Sequence, residues 1–132
     1  PFLFVDRIES ATDEQIVGYR KFTDDDFFFK GHFPQYPVVP GVILIETMAQ
    51  CGGAGISGMG KLKKDTIFFL ATVSKAKFKR QVRPDDEVKM VITNLRISEQ
   101  MLKQSGKAFV GDELAAEAEW MCIMGSSSGL QG

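Results

Sequence analysis

The stretch Gly41–Gly58 constrains the fold of this chain more than any other. It opens on Pro40-Gly41, and a proline at that point has a backbone angle suited to a helix start. Val42 to Ile45, Met48, Ala49, Cys51, Ala54 and Ile56 place apolar side chains on nearly every side, which predicts a helix buried all round. Gly52, Gly53 and Gly55 each cost about 1 kcal/mol of helix propensity relative to alanine. Such a cost is tolerable where neighbouring strands must approach the helix backbone closely.

The rest of the chain reads as strands. Leu3 to Ser10 and Gln15 to Phe22 are extended runs separated by the turn-like Ala11-Thr12-Asp13-Glu14. Thr23 to Asp26, followed by Phe27 to Phe29, then reads as a short capped helical turn carrying apolar residues inward. Thr66 to Arg80, Glu87 to Ser98 and Lys103 to Val110 follow the helix, and Gly111-Asp112 signals a tight turn into Glu113 to Met124. In that last run Leu114, Ala116, Ala118, Trp120, Cys122 and Met124 alternate with Glu113, Glu117 and Glu119, so one face is buried and one wet. One helix and five or six antiparallel strands make an α+β domain, its sheet curled around a long central helix. At 132 residues this is a single domain. It is expected over residues 1–125, with the small, polar 126–132 as a disordered tail. Beginning at Pro1, the chain is expected to lack a leader or a first strand.

Composition removes several function classes. Sixteen Lys and Arg against seventeen Asp and Glu give a net charge of −1, so no global basic field recruits nucleic acid. A single histidine and two cysteines make a Cys/His zinc site nearly impossible, and Asp24–Asp26 reads as a helix start rather than a metal cluster. Neither a cofactor nor a metal is expected. Cys51 and Cys122 share no motif spacing and read as reduced thiols of a cytoplasmic protein. The longest apolar run, Val38 to Ile45, is broken by Pro40 and Gly41 and is too short to cross a membrane.

Two residues stand out as chemistry. Glu46 lies mid-helix among apolar neighbours, where a lone carboxylate is costly and tends to be held neutral or paired. Gln50, four residues on, is the side chain placed to hydrogen-bond it. His32 lies in the proline-rich loop before the helix, inside Gly31-His-Phe-Pro34. Between the two falls Gly41, whose N–H is one of the unpaired donors at a helix N-terminus and is suited to an oxygen that becomes negative. Cys51 projects about 140° around the helix from Glu46 and cannot share its site.

The run Gly31-His-Phe-Pro-Gln-Tyr-Pro-Val-Val-Pro-Gly-Val-Ile-Leu-Ile-Glu-Thr-Met-Ala-Gln50 resembles the signature of the β-hydroxyacyl-acyl carrier protein dehydratases of FabZ type. The similarity continues through Pro1 to Arg7, Lys77-Phe78, Val82, Pro84 and the final strand. Pro84-Asp85-Asp86 departs from the family's usual Pro-Gly-Asp, in a turn remote in sequence from the motif. The resemblance implies the hotdog fold, a sheet wrapped around a central helix. It also implies dehydration of a (3R)-hydroxyacyl-acyl carrier protein to the trans-2-enoyl product in fatty-acid elongation.

That reaction needs a base for a weakly acidic α-proton, an acid for the departing hydroxyl and a stabiliser of the enolate. The resemblance gives His32 the first task, Glu46 the second and the Gly41 N–H the third. By the same resemblance the Val38 carbonyl holds the other ring nitrogen of His32, and the His32–Phe33 peptide is cis. Phe68 and Phe69 are expected to line an acyl tunnel. Relatives pair as dimers that bring His32 of one subunit to Glu46 of the other, within a trimer of dimers, in the cytoplasm or a plastid-type organelle. The expected partner is acyl carrier protein, which is acidic; Lys75, Lys77 and Lys79, alternating along one strand, form the expected basic stripe for it. Two other readings stay open. A hotdog thioesterase would use a helix carboxylate on water without the His-Phe-Pro loop, and a non-catalytic acyl-thioester-binding module would have no need of His32 and Glu46 together. A dehydratase-isomerase carries Asp where Glu46 stands.

Overall fold

A computed structural model describes residues 5–26, 38–60 and 66–126. The elements in chain order are β1 (Arg7–Ala11), β2 (Gln15–Lys21), α1 (Gly41–Gly58), β3 (Thr66–Phe78), β4 (Glu87–Ile97), β5 (Met101–Val110) and β6 (Glu113–Ser126). They form one six-stranded sheet in the order β1-β2-β4-β5-β6-β3, antiparallel at every junction, and α1 packs against all six strands. This is the α+β architecture expected from the sequence. The helix occupies Gly41–Gly58 as read, and β6 runs two residues past Met124.

Strand chemistry explains the sheet. In β4 and β5, Val88, Met90, Ile92, Leu102, Gln104 and Ala108 turn toward the helix at period two and are buried. The β5–β6 hairpin closes through Gly111, whose φ of +59° suits glycine. The alternation expected in β6 holds from Ala116 to Met124 but fails at its start. A bulge opposite Ala108–Phe109 inserts one residue, so Ala115 is buried and Leu114 only partly so.

The glycines of α1 serve close approach. A Cβ on Gly55 would stand 2.6 Å from Ile16 of β2, and one on Gly52 would run into the side chain of Gln104 on β5. Gln104 is fully buried yet satisfied: it accepts from Trp120 Nε1 at 3.1 Å and donates to Asn94 Oδ1 at 2.7 Å.

The helix is not buried all round. Leu44, Ile45, Met48, Cys51, Gly52, Gly55 and Ile56 are enclosed, whereas Val42 is 73% exposed and Glu46 and Gln50 are half-buried. These three follow one another at intervals of four, so they form a single stripe that the sheet leaves open. The reason is curvature: the sheet wraps the helix from β1 through β6, and the last strand, β3, has no neighbour on its other side among the described residues.

The Pro84-Asp85-Asp86 turn, though remote in sequence, lies beside the helix start. Val39 N–H donates to the Val82 carbonyl at 2.7 Å, two residues before Gly41. Asp85 adopts φ +73°, a left-handed conformation that costs a non-glycine residue roughly 1 kcal/mol. The Asp86 carboxylate steadies the turn by accepting from the Arg83 N–H at 2.9 Å.

Candidate active site

The open stripe of α1 and the first half of β3 enclose a pocket of about 340 Å³. Its described walls are Glu46, Ala49 and Gln50 from the helix, Thr66, Ile67, Phe68 and Leu70 from β3, and Cys122 from β6. Glu46 is the one carboxylate among them. Gln50 Nε2 donates to Glu46 Oε1 at 3.3 Å, the intrahelical contact expected from the spacing. The carboxylate thus faces a half-open pocket of mixed lining, with Gln50 and Thr66 beside apolar Ala49, Ile67, Phe68 and Leu70, and its direction is set by the amide one turn on.

Thr47, next along the chain, turns inward, where its hydroxyl bonds the Ile43 carbonyl and is satisfied. The polar stripe therefore consists of Glu46 and Gln50 alone.

At the head of α1, Ile43 and Leu44 N–H both donate to the Pro40 carbonyl, at 3.0 and 3.2 Å. The N–H groups of Gly41 and Val42 have no acceptor among the described residues. No side chain caps this end and its first turn holds no acidic residue, so nothing described competes for these donors. Gly41 lies about two and a half helical turns from Gln50 and about one and a half from Glu46.

Of the residues singled out by sequence, the structure brings Glu46 and Gln50 into one pocket and sets Gly41 at the head of the same helix. Val38 leads into that head. His32, the His32–Phe33 peptide and the rest of the Gly31–Pro37 loop lie outside the described residues. Phe69 is not on the pocket. It pairs with Ile123 on the outer face of the sheet and is 48% exposed, while Phe68, its neighbour, turns inward and lines the chamber.

Sequence reasoning also missed Cys122 as a wall residue. Its inward alternation was legible, but its distance from Glu46 in the chain hid their proximity. Burial, and after it the Glu46 charge, push the Cys122 thiol up to about 11. Cys51 is separate from the pocket: it packs toward β2, where a Cβ on Gly18 would stand 2.5 Å from its Sγ, and burial raises it to about 12.

The basic stripe is altered too. A bulge between Ser74 and Lys77 sets Lys75 at φ +53° and breaks the simple alternation of Lys75, Lys77 and Lys79. Lys75 and Lys77 instead share a shallow groove of about 360 Å³ on the outer face with Lys107, Glu117 and Glu119. Lys75 Nζ lies 3.6 Å from Glu119 Oε1. Lys79 is exposed beyond the end of the strand.

Among the described residues no cluster of His, Cys, Asp and Glu is arranged to hold a metal ion, and no helix is long and apolar enough to cross a membrane.

The model of the FabA-like domain matches residues 1–119. A 3-hydroxyacyl-[acyl-carrier-protein] dehydratase FabZ from Desulforamulus reducens is 44% identical over 126 residues, covering 95% of this chain and 88% of that protein. Another so named, from Pelotomaculum thermopropionicum, is 42% identical and covers 92% and 86%. Among solved structures, the dehydratase heterocomplex ApeI:P from Xenorhabdus doucetiae superposes with a TM-score of 0.83 at 14% identity, over 99% of this chain and 88% of that one. A thioesterase from Haemophilus influenzae superposes at 0.63 with 13% identity, over 91% and 78%. At such identities the structural likeness speaks for the fold alone.

Proposed function

The chain belongs to the FabA-like domain family, and from that premise we propose that it is a hydro-lyase converting 3-hydroxyacyl-acyl carrier protein to the trans-2-enoyl thioester in fatty-acid biosynthesis. The observation that carries this reading is the position of Glu46, the one carboxylate on the described wall of a pocket lined mostly by Ala49, Ile67, Phe68, Leu70 and Cys122. An acyl chain needs such a chamber, and a departing hydroxyl needs a proton donor inside it.

A ring nitrogen of His32 takes the α-proton, and the electron pair released moves into the thioester as an enolate. The Gly41 N–H, with the positive end of the helix behind it, bonds the oxygen that becomes negative. The enolate then collapses, the C–O bond at the β-carbon breaks, and Glu46 supplies the proton that turns hydroxide into water. Gln50 aims the Glu46 carboxyl, and the Val38 carbonyl fixes the tautomer of His32 by accepting from its other ring N–H. Phe68, Leu70 and Ile67 accommodate the chain.

A dimer completes the site. Among the described residues the edge strand β3 and the stripe Val42, Glu46 and Gln50 lie uncovered, and a second copy pairing along β3 would cover both. In this arrangement His32 comes from one subunit and Glu46 from the other. Dimers assemble further in threes. The enzyme works in the cytoplasm, with neither a metal nor a cofactor taking part.

The test is a product assay with a 3-hydroxyacyl thioester. Formation of the conjugated enoyl thioester, without release of thiol, is the expected result. Thiol release without enoyl absorbance would instead make the chain a thioesterase, and binding without turnover a carrier of acyl thioesters.

A further inference from the structure

We propose that Phe78 is a positioning residue for the N–H groups that open α1, holding Gly41 in place and keeping water from one side of it. This rests on the dehydratase reading, in which the Gly41 N–H meets the thioester oxygen. Phe78 ends β3 opposite Ala116, on the face of the sheet that looks toward the helix, yet it is 53% exposed. A Cβ on Gly41 would stand 2.8 Å from its ring Cζ and 2.9 Å from Cε1. The edge of the ring therefore already lies against the glycine.

The backbone around Phe78 is tied on both sides. Lys77 pairs with Glu117 on β6, and the N–H groups of Lys79 and Arg80 both donate to the Ala115 carbonyl, at 2.7 and 3.3 Å. Four residues beyond Phe78, the Val82 carbonyl accepts from Val39 N–H at 2.7 Å. One short segment thus holds the head of the helix twice, by a ring on Gly41 and by a carbonyl on the residue two before it. The bulge that inserts Ala115 into β6 supplies the carbonyl on which this segment hangs.

A phenyl ring has no polar handle and offers these donors no competing acceptor. Beside them it lowers the local dielectric, which strengthens their hold on an oxygen gaining charge. Glycine is required at position 41, since any side chain there displaces the ring.

The experiment uses the full chain and a soluble 3-hydroxyacyl thioester of N-acetylcysteamine, with enoyl formation read as kcat and KM. Phe78→Ala is expected to lower kcat about 10- to 100-fold, with KM within about threefold and the Tm of the wild type nearly kept. Phe78→Tyr, which adds a hydroxyl at Cζ, the atom that meets Gly41, as a competing acceptor for these donors, should lower kcat about 10-fold or more. Gly41→Ala should lower kcat at least as far, and Gly41→Ala combined with Phe78→Ala should be no worse than Gly41→Ala alone, because both act on one contact. Should Phe78→Ala fail to fold, Phe78→Leu carries the test, with an expected loss in kcat of about 3- to 10-fold. An active wild type with unchanged kcat in the Ala or Leu variant would overturn the proposal alone, as would additive losses in the double variant or a Tyr variant as active as wild type. A wild type that forms no enoyl product overturns the dehydratase reading and this proposal together.

Discussion

The two flanks of α1 are built to different rules. On the closed flank, Met48, Cys51, Gly52, Gly55 and Ile56 meet β2, β4, β5 and β6 with little or no exposure, and a single added methyl at Gly55 has no room. On the open flank, Val42, Glu46 and Gln50 face a pocket and an edge strand, and Leu70, Val73 and Phe78 of that strand are 36% to 53% exposed. The first flank spends helix propensity on close packing. The second forgoes packing and holds the carboxylate. Stability and chemistry are therefore carried on opposite sides of one helix, five residues apart at Glu46 and Cys51, and the two can be perturbed separately.

The largest effect belongs to the open flank. Glu46→Gln keeps the shape and the contact with Gln50 while removing the acid, and His32→Ala removes the base. Each should lower dehydration about 10²- to 10⁴-fold, and thermal unfolding of Glu46→Gln should be little changed because Glu46 lies on the open flank. Mixing the two inactive proteins, with subunit exchange confirmed, should restore activity, since each mixed dimer regains one intact pair. Failure to recover would put both residues of a site in one chain, and near-normal turnover by either variant would remove it from the chemistry.

The closed flank gives the converse. Gly55→Ala improves helix propensity by about 1 kcal/mol but forces a methyl against Ile16 at 2.6 Å. Overpacking of this kind typically costs about 1–3 kcal/mol, so net destabilisation is expected, read as a lower denaturant midpoint. The folded fraction should keep a kcat close to wild type. A Gly55→Ala protein as stable as wild type would show that the sheet yields around the helix and that the two flanks are less distinct than their geometry implies.

How much of this was legible in the sequence follows from the physics of each part. The helix from Gly41 to Gly58, its glycines as points of close approach and the Glu46–Gln50 contact are consequences of local spacing, and spacing is what a sequence displays. The open stripe was not legible, because Val42 is as apolar as Leu44 and only the curvature of the sheet distinguishes them. Bulges were hidden for the same reason. Nothing local marks Ala115 as the extra residue or sets Lys75 in a left-handed conformation; the register of the paired strands does. Asp85 is intermediate: the family's glycine at that position signals the positive φ, yet its closeness to the helix head depends on the Val82–Val39 bond, which joins residues far apart in the chain.

The cysteines report on the same two flanks. Cys51 is enclosed by the closed flank and Cys122 forms part of the pocket wall on the open one. Both thiols sit above their usual range, at about 12 and about 11, so both are protonated at pH 8. A small uncharged alkylating reagent at that pH should label Cys122 about tenfold or more faster than Cys51, since reactivity follows thiolate fraction and access. In Glu46→Gln the Cys122 rate should rise further, because one cause of its raised pKa is removed. The sign for stability is fixed by the same shifts. The folded state holds these protons where the unfolded state has begun to lose them, so stability falls as pH climbs from about 9 toward 11 and 12. Cys51→Ala should reduce that alkaline loss, measured as the Tm difference between pH 8 and pH 10. Equal labelling rates for the two thiols would mean that the pocket wall is as closed as the core.

The smallest effect lies on neither flank but on the outer face of the sheet, and it tests how far the open flank's chemistry extends. Lys75 and Lys77 share their groove with Lys107, but also with Glu117 and Glu119, so the local field is weaker than three alternating lysines would give. An acidic carrier protein docking there gains from long-range steering more than from any one ion pair, because exposed pairs contribute little and are screened by salt. Replacing Lys75, Lys77 and Lys79 with Glu should lower kcat/KM for a carrier-protein substrate by about 3- to 10-fold at low salt, and by less as salt rises. Turnover of a short soluble thioester should be almost unchanged, since the pocket beside Glu46 opens on the other face of β3. Equal loss on both substrates would show that the bulged end of β3 supports the pocket structurally. A kcat/KM for carrier substrate that ignores both the substitutions and the salt would move the docking surface elsewhere, leaving the lysines as the solvated face of an edge strand.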